Sequence, residues 1–304
     1  MIGLSGYTGL LGSSILRKCI DTKTEYKLFG RNKSDAKSYR NYSYLNLNEK
    51  VSNHLIKDLT GISIFIHCAA IKTSTNLESN VSLMNKDLLE FNALYLWDLI
   101  AACSKAKVKK IIIISAANAL KPNKDGIIDD ESGFQTKLNS PYLFSKLIGE
   151  LLSKNHENKY PFIQIIRPSS IYGPYTKFGL INKFIEKLKN NEEIFIEGDG
   201  SWSSDLVYVD DVTEIIYKLF DNYKLSEINI GTGNLSSVLE IANLISQKLN
   251  SPKSLIRFNV ENNHKQTTQN TFFKVNPKKG EDILNRKMIS INQGITKILR
   301  TIDF

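Results

Sequence analysis

Three glycines stand in the run Gly6-Tyr7-Thr8-Gly9-Leu10-Leu11-Gly12, directly after the short apolar stretch Ile2-Gly3-Leu4-Ser5 and before an apolar helical pattern. No other feature constrains the chain so strongly. A strand must turn sharply into a helix, and the missing side chains let the backbone approach a pyrophosphate. Unpaired N–H groups and the helix dipole favour negative charge at that end. Residues 6–12 are therefore read as a dinucleotide cradle.

Beyond the loop, short β-rich runs alternate with helical patterns, which predicts parallel βαβ units with helices on both faces. Strands are expected at 1–5, 26–30, 62–68, 111–115 and 162–166. The run Ile111-Ile112-Ile113-Ile114 suits a central strand buried on both faces, and 85–104 has helical periodicity through Leu88, Leu89, Leu96, Leu99 and Ile100. This order predicts an α/β, doubly wound parallel sheet. From about 175 the rhythm changes to a helix at 178–190, a Gly198-Asp199-Gly200 turn, a strand near 205–209 and a helix at 236–249. The expected division is a dinucleotide-binding domain over 1–174 and a smaller, interleaved substrate lobe over 175–304. Segments around 205–215 and 226–233 are expected to return to the main domain.

With 41% hydrophobic residues in 304, the chain has enough apolar content for a large core and is unlike a disordered one. Its net charge of +9 is spread without a dense basic block, so nucleic acid is not expected as a partner. No apolar run reaches the roughly 18 residues of a membrane span, and Met1 leads straight into the first strand. A cytoplasmic protein without a membrane partner is the resulting expectation. Cys19, Cys68 and Cys103 are widely spaced in apolar contexts, and the four histidines show no paired ligand spacing, so neither a disulfide framework nor a metal site is expected.

The second strand ends Leu28-Phe29-Gly30-Arg31-Asn32-Lys33, with Gly30 where a ribose-binding carboxylate would mark NAD. Arg31, Asn32 and Lys33 form the facing loop, and the cations suit a 2′-phosphate, so NADP is favoured over NAD. Further on, Tyr142 and Lys146 lie one helical turn apart and share a face. A phenol titrates near pKa ~10, and an adjacent ammonium should bring it toward the working range for proton exchange.

Together with the loop, these residues resemble the NAD-dependent epimerase/dehydratase family of extended short-chain dehydrogenases. The likeness includes His67-Cys68-Ala69-Ala70, Asn92, Arg167-Pro168-Ser169-Ser170-Ile171-Tyr172-Gly173-Pro174, Gly198-Asp199-Gly200, Tyr208-Val209-Asp210-Asp211 and Asn229-Ile230-Gly231-Thr232-Gly233. The resemblance implies a Rossmann-type cofactor domain and a small lobe covering a nucleotide sugar, whose C4 is oxidised or whose ketone is reduced. It implies that Lys146 also holds the nicotinamide ribose, that Ala69 and Ala70 pass beneath the pyrophosphate, and that Leu47, Cys68, Pro168 and Ile171 complete the cofactor contacts. Asn92 would support the active-site helix or a proton-relay water. Substrate contacts fall on Ser170, Lys177, Lys183, Ser204 and Tyr208, with Arg257 another cation for phosphate. In similar proteins helices such as 85–104 and 142–154 pair between subunits, which implies a homodimer.

Some positions depart from the family. Ala116 stands where a Ser or Thr usually bonds the reacting oxygen, and Ser115 is the substitute one residue earlier, pointing to the other side of an extended strand. Ala117 and Asn118 replace the Asp–Glu pair of the 4,6-dehydratases, which disfavours dehydration. An arginine for the nucleotide pyrophosphate is replaced around Ser203-Ser204, and Ser170 stands where many relatives have asparagine. Residues 252–271 match poorly and are read as a variable, specificity-bearing loop. The alternative class is a cofactor-binding protein with little or no turnover.

Overall fold

The computed structural model describes residues 1–31, 41–44, 52–72, 86–136, 138, 140–156, 161–176, 179–259 and 273–302. In chain order its strands are β1 (Ile2–Ser5), β2 (Tyr26–Gly30), β3 (Tyr42–Tyr44), β4 (Ile64–His67), β5 (Lys110–Ile114), β6 (Ile127–Ile128), β7 (Phe162–Pro168), β8 (Ser170–Tyr172), β9 (Ile194–Glu197), β10 (Ser203–Tyr208), β11 (Glu227–Ile230), β12 (Leu235–Ser237), β13 (Ile256–Asn259) and β14 (Lys274–Val275). The named α-helices are α1 (Leu10–Asp21), α2 (Asn53–Leu59), α3 (Tyr95–Lys105), α4 (Pro141–Lys154), α5 (Leu180–Lys189), α6 (Val209–Lys218), α7 (Val238–Leu249), α8 (Lys278–Leu284) and α9 (Ile291–Ile302). The chain divides into two units: 1–121, 133–168 and 216–228 form one, and 122–132, 169–215 and 229–304 form the other. The returning segment in this division is 216–228, which takes in 226–228 of the second expected segment, while 205–215 stays in the other unit.

Seven strands form one sheet in the order β11-β7-β5-β4-β1-β2-β3, with parallel pairing from β7 to β3. This is the doubly wound arrangement expected from the alternating pattern. Ile111, Ile112 and Ile113 are buried between neighbours on both sides, as a continuous apolar run requires. Strand order reverses between β1 and β4, so the segments leaving Ser5 and His67 meet at the switch point where open α/β sheets bind ligands. On one face Phe29, Phe65, Leu96, Leu99 and Val108 pack into a common apolar cluster.

Two features of this unit depart from the simple pattern. The helix expected over 85–104 contains a π turn, Glu90–Leu94, before α3. Such a turn carries one extra residue, and here it centres on Asn92. Lys110 opens β5 ahead of the run Ile111–Ile114, and its side chain is fully buried. Its ammonium donates to the carbonyls of Leu219, Phe220 and Asn222 at 2.6, 2.9 and 2.7 Å, just beyond α6, and lies 4.3 Å from the Tyr223 ring centroid. A cation there meets the negative end of a helix dipole and the carbonyls of the turn that follows it.

The second unit contains the sheet β12-β10-β8 and the pairs β13-β9 and β14-β6. Its core gathers Ile181, Phe184, Ile185, Ile194, Ile241 and Ile245 among others. Buried Asp205 ties three segments together by accepting from the backbone N–H groups of Thr232, Gly233 and Val275 and from the Thr232 hydroxyl, at 2.8–3.0 Å. Among the described residues no helix is long and apolar enough to cross a membrane.

Candidate active site

Gly6 follows β1 with φ of +74°, a conformation that a side chain would strain. A Cβ there would come within 2.5 Å of the Ala69 nitrogen, and one on Gly12 within 2.2 Å of the Gly6 carbonyl oxygen. The loop, α1 and the segment after β4 therefore touch backbone to backbone. Gly9 caps α1 without a side-chain hydrogen bond and donates to the Gly6 carbonyl at 3.0 Å. The result is a helix N-terminus whose approach is kept clear of side chains, beside a cavity of about 420 Å³. This cradle fits a dinucleotide phosphate. Gly6, Tyr7, Thr8, Gly9 and Arg31 line the cavity, as do Cys68, Ala69 and Ala70. Leu10 is half-buried and Leu11 and Gly12 are buried, so the Leu11 side chain packs α1 onto the core rather than facing the cavity. Asn32, Lys33 and Leu47 lie outside the described residues.

Helix α4 begins with Ser140 accepting from Leu143 N–H and with Pro141 in its first turn, which fixes the start of the helix and places Tyr142 in that turn. Lys146 follows one turn later and is only 6% exposed. The lowered phenol expected at Tyr142 is not found: burial pushes it above its ordinary value. Burial also brings Lys146 down to about 8, against the opposing influence of Cys68 and Glu150 and with the help of Lys72. Lys72, which sequence reasoning passed over, places its ammonium 5.9 Å from the Tyr142 ring centroid. His67 is buried, hydrogen-bonded through Nδ1 to Ser5 Oγ at 2.8 Å and held down to about 3 by burial and by Lys146, so it is a neutral scaffold group. Burial pushes the Cys68 thiol up to about 12.

Asn92 joins these pieces. Its side-chain oxygen accepts from Ile71 N–H at 2.9 Å, and its amide donates to the Ile71 carbonyl at 3.0 Å and to Ser145 Oγ at 2.9 Å. The π turn and α4 are so close that a Cβ on Gly149 would lie 2.4 Å from the Asn92 carbonyl oxygen. Asn92 thus positions the 68–72 segment and α4. One turn beyond Lys146, buried Glu150 receives a bidentate Arg167 guanidinium, which also reaches Glu227, while Lys154 bridges both carboxylates at 3.3 and 2.6 Å. Spacing along the chain carried no signal for that quartet, because Arg167 and Glu227 come from β7 and β11.

The depressed Lys146 value has a stability consequence. Between about 8 and 10.5 the unfolded chain binds more protons at this position, so stability climbs with pH; below 8 the full cost of burying the ammonium is present. Lys146→Met is expected to raise stability at pH 7 by on the order of 2–3 kcal/mol, the gain fading toward pH 10. Urea unfolding at both pH values checks this, and a destabilised variant at pH 7 would contradict it.

In the second unit, Ser170 and Ser204 share a hydrogen bond of 3.1 Å between their hydroxyls. Lys183 is exposed on α5 and Ile171 half-buried, whereas Pro168, the last residue of β7, is buried in the first unit. Lys177 lies outside the described residues. Tyr208, expected to meet substrate, is 2% exposed and packs edge-on against Tyr172 at 5.3 Å within the apolar core. Its ring is packed into that core. Arg257 is exposed and paired with Glu193 at 2.9 Å.

A model of the NAD dependent epimerase/dehydratase family matches residues 2–231. The chain belongs to that family. Within it, the chain is 28% identical over 259 residues to a putative UDP-glucose 4-epimerase of Methanocaldococcus jannaschii, covering 82% of each chain. A dTDP-4-dehydro-6-deoxy-D-allose reductase of Streptomyces sp is 24% identical over 64% of this chain and 61% of its own. Among solved structures, MoeE5 in complex with UDP-glucuronic acid and NAD shares the fold with a TM-score of 0.81, covering 99% of this chain and 98% of that one at 19% identity.

Ser115 donates its N–H to the Ile166 carbonyl at 2.8 Å, and its buried hydroxyl finds no hydrogen-bond partner among the described residues. Ala116 is half-buried and offers only backbone, Ala117 is buried, and the Asn118 carbonyl accepts from the Gln135 amide at 3.2 Å.

Proposed function

We propose that this family member is an NAD(P)-dependent epimerase or ketone reductase acting on a nucleotide-activated sugar, with NADP the favoured cofactor. The observation that carries the reading is Tyr142 and Lys146 on successive turns of α4, with Lys72 against the phenol ring and the cavity-lining Cys68 within electrostatic reach of Lys146. A bound nicotinamide supplies or accepts the hydride at the sugar carbon. Tyr142, its phenol raised by burial, exchanges the proton of the reacting oxygen, Lys146 stands one turn further along the same helix, and Asn92 keeps α4 and the 68–72 segment in register. The glycine loop holds the pyrophosphate. Ser115, with a buried and unpaired hydroxyl, is the side chain after β5 to serve the reacting oxygen in place of Ala116. No carboxylate pair stands at Ala117 and Asn118, so the reading disfavours 4,6-dehydration. The second unit is assigned as the substrate lobe, with Ser170 and Ser204 as contacts.

The named relatives support a nucleotide sugar as the substrate class. Purified protein mixed with NADPH and 4-keto-sugar nucleotides should oxidise the cofactor, and UDP- or dTDP-hexoses should epimerise without net cofactor change. Tight NADPH binding with neither activity would favour the alternative reading, a cofactor-binding protein with little turnover, for which Ala116 and the raised Tyr142 phenol speak. A homodimer is part of the proposal: Leu94 and Trp97, and on α4 Phe144 and Leu151, expose apolar side chains, while Tyr95 is buried.

A further inference from the structure

The end of β2 is closed by aromatic rings. Gly30 pairs with Tyr44 in β3, and the space its side chain would fill is taken: a Cβ on Gly30 would lie 2.9 Å from the Tyr42 hydroxyl and 3.0 Å from Cε1 of Tyr7. The two rings meet edge to face, with centroids 6.2 Å apart and planes at 83°. Tyr7 comes from the glycine loop and is buried, and Tyr42 is half-buried at the start of β3. Gly30, Tyr7 and the exposed Arg31 all line the cavity beside the loop. The absence of a carboxylate at position 30 is thus one side of a packed arrangement whose other side is two phenol rings.

We propose that Tyr42, packed with Tyr7 over Gly30, reads the adenosine-ribose end of the dinucleotide in place of a side-chain carboxylate. The inference rests on the dinucleotide reading of the glycine loop. A carboxylate at this point accepts from a ribose 2′-OH and repels a 2′-phosphate. A phenol donates instead, to either a hydroxyl or a phosphate oxygen, and carries no repelling charge. Arg31 adds a permanent cation on the same rim. The pair therefore tolerates both nucleotides and gives the phosphorylated one the advantage. It also makes Gly30 and Tyr42 interdependent, because a side chain at position 30 meets the Tyr42 hydroxyl first and Tyr7 Cε1 next, so removing the Tyr42 ring relieves the nearer clash.

Calorimetric titration with NADPH, NADH, adenosine 2′,5′-bisphosphate and AMP tests this without any turnover. Tyr42→Phe should weaken NADPH and the bisphosphate by about tenfold, the worth of one hydrogen bond to a charged acceptor, with a smaller loss for NADH. Gly30→Asp alone should weaken both dinucleotides, since the new side chain displaces the rings. Adding Tyr42→Ala to Gly30→Asp should restore NADH and not NADPH, a non-additive pair. If Gly30→Asp by itself gains NADH affinity, or Tyr42→Phe leaves all four ligands unchanged, the aromatic reading is overturned while the cofactor assignment stands. If the unaltered protein binds neither dinucleotide, the cofactor assignment fails first. Thermal melts screen for folding, and Tyr42→Phe, the mildest change, decides the matter if Gly30→Asp does not fold.

Discussion

Tyr142→Phe is expected to lower turnover by about 10²–10⁴-fold while leaving dinucleotide affinity within about twofold. The ring stays, so packing at the start of α4 and the contact with the Lys72 ammonium persist; only the exchangeable proton is lost. Burial raises the phenol, so Tyr142 is protonated throughout neutral pH, the form that delivers a proton to a ketone oxygen. The reduction direction should accordingly be level through pH 6–7 and decline as pH rises past about 8, where Lys146 loses its charge. Single-turnover oxidation of NADPH across that range, paired with calorimetry, reads both quantities. Unchanged turnover in the variant would remove Tyr142 from the chemistry, and lost binding would mean that its hydroxyl serves the cofactor.

Removal of the Arg167 guanidinium should cost about 3–5 kcal/mol of folding stability, because Arg167→Met leaves the 1%-exposed Glu150 carboxylate with Lys154 as its remaining salt-bridge partner. The quartet ties α4 to β7 and β11, so the loss should also loosen the helix that carries Tyr142 and Lys146. Replacing both buried partners, Arg167→Met with Glu150→Leu, should recover most of the deficit, since no orphaned charge then remains in the interior. Urea midpoints for the single and double variants give the answer, and a single-variant loss below about 1 kcal/mol would show that water reaches Glu150. Glu227 adds a pH signature. Burial alone would raise it, but Lys154 and Arg167 overcome that and hold it below its ordinary value. Its contribution is complete above the ordinary carboxylate range and disappears as pH falls through the lowered folded value.

Much of the first unit was legible because its information is local. The apolar stretch before Gly6, the glycine spacing, and the Ile111–Ile114 run each announce an element within a few residues, and parallel order follows from their alternation. The one-turn interval between Tyr142 and Lys146 likewise needs only helical geometry. What escaped depends on partners far along the chain. The burial of Lys110 depends on the carbonyls beyond α6 that surround it, more than a hundred residues away. Tyr208 sits in a motif that suggests contact with substrate, yet the cluster built by α5, α7 and α9 encloses it. Gly30 reads in one dimension as a missing acid, whereas the space is occupied by rings from the first loop and the third strand. Lys72 was invisible for the same reason: its meaning comes from α4, seventy residues later.

The interleaved course of the chain also bears on its synthesis. The backbone passes between the two units at 121/122, 132/133, 168/169, 215/216 and 228/229. The seven-stranded sheet gains its last strand, β11, only after residues 169–228 have followed β7 from the ribosome. At about 5–20 residues per second, the free edge of β7 waits on the order of 3–12 s, and Arg167 waits equally long for Glu227. An unpaired strand edge is a template for unwanted pairing. A nascent chain stalled in this interval is therefore a client for holding chaperones, and neither unit can be obtained by cutting the gene at a single point.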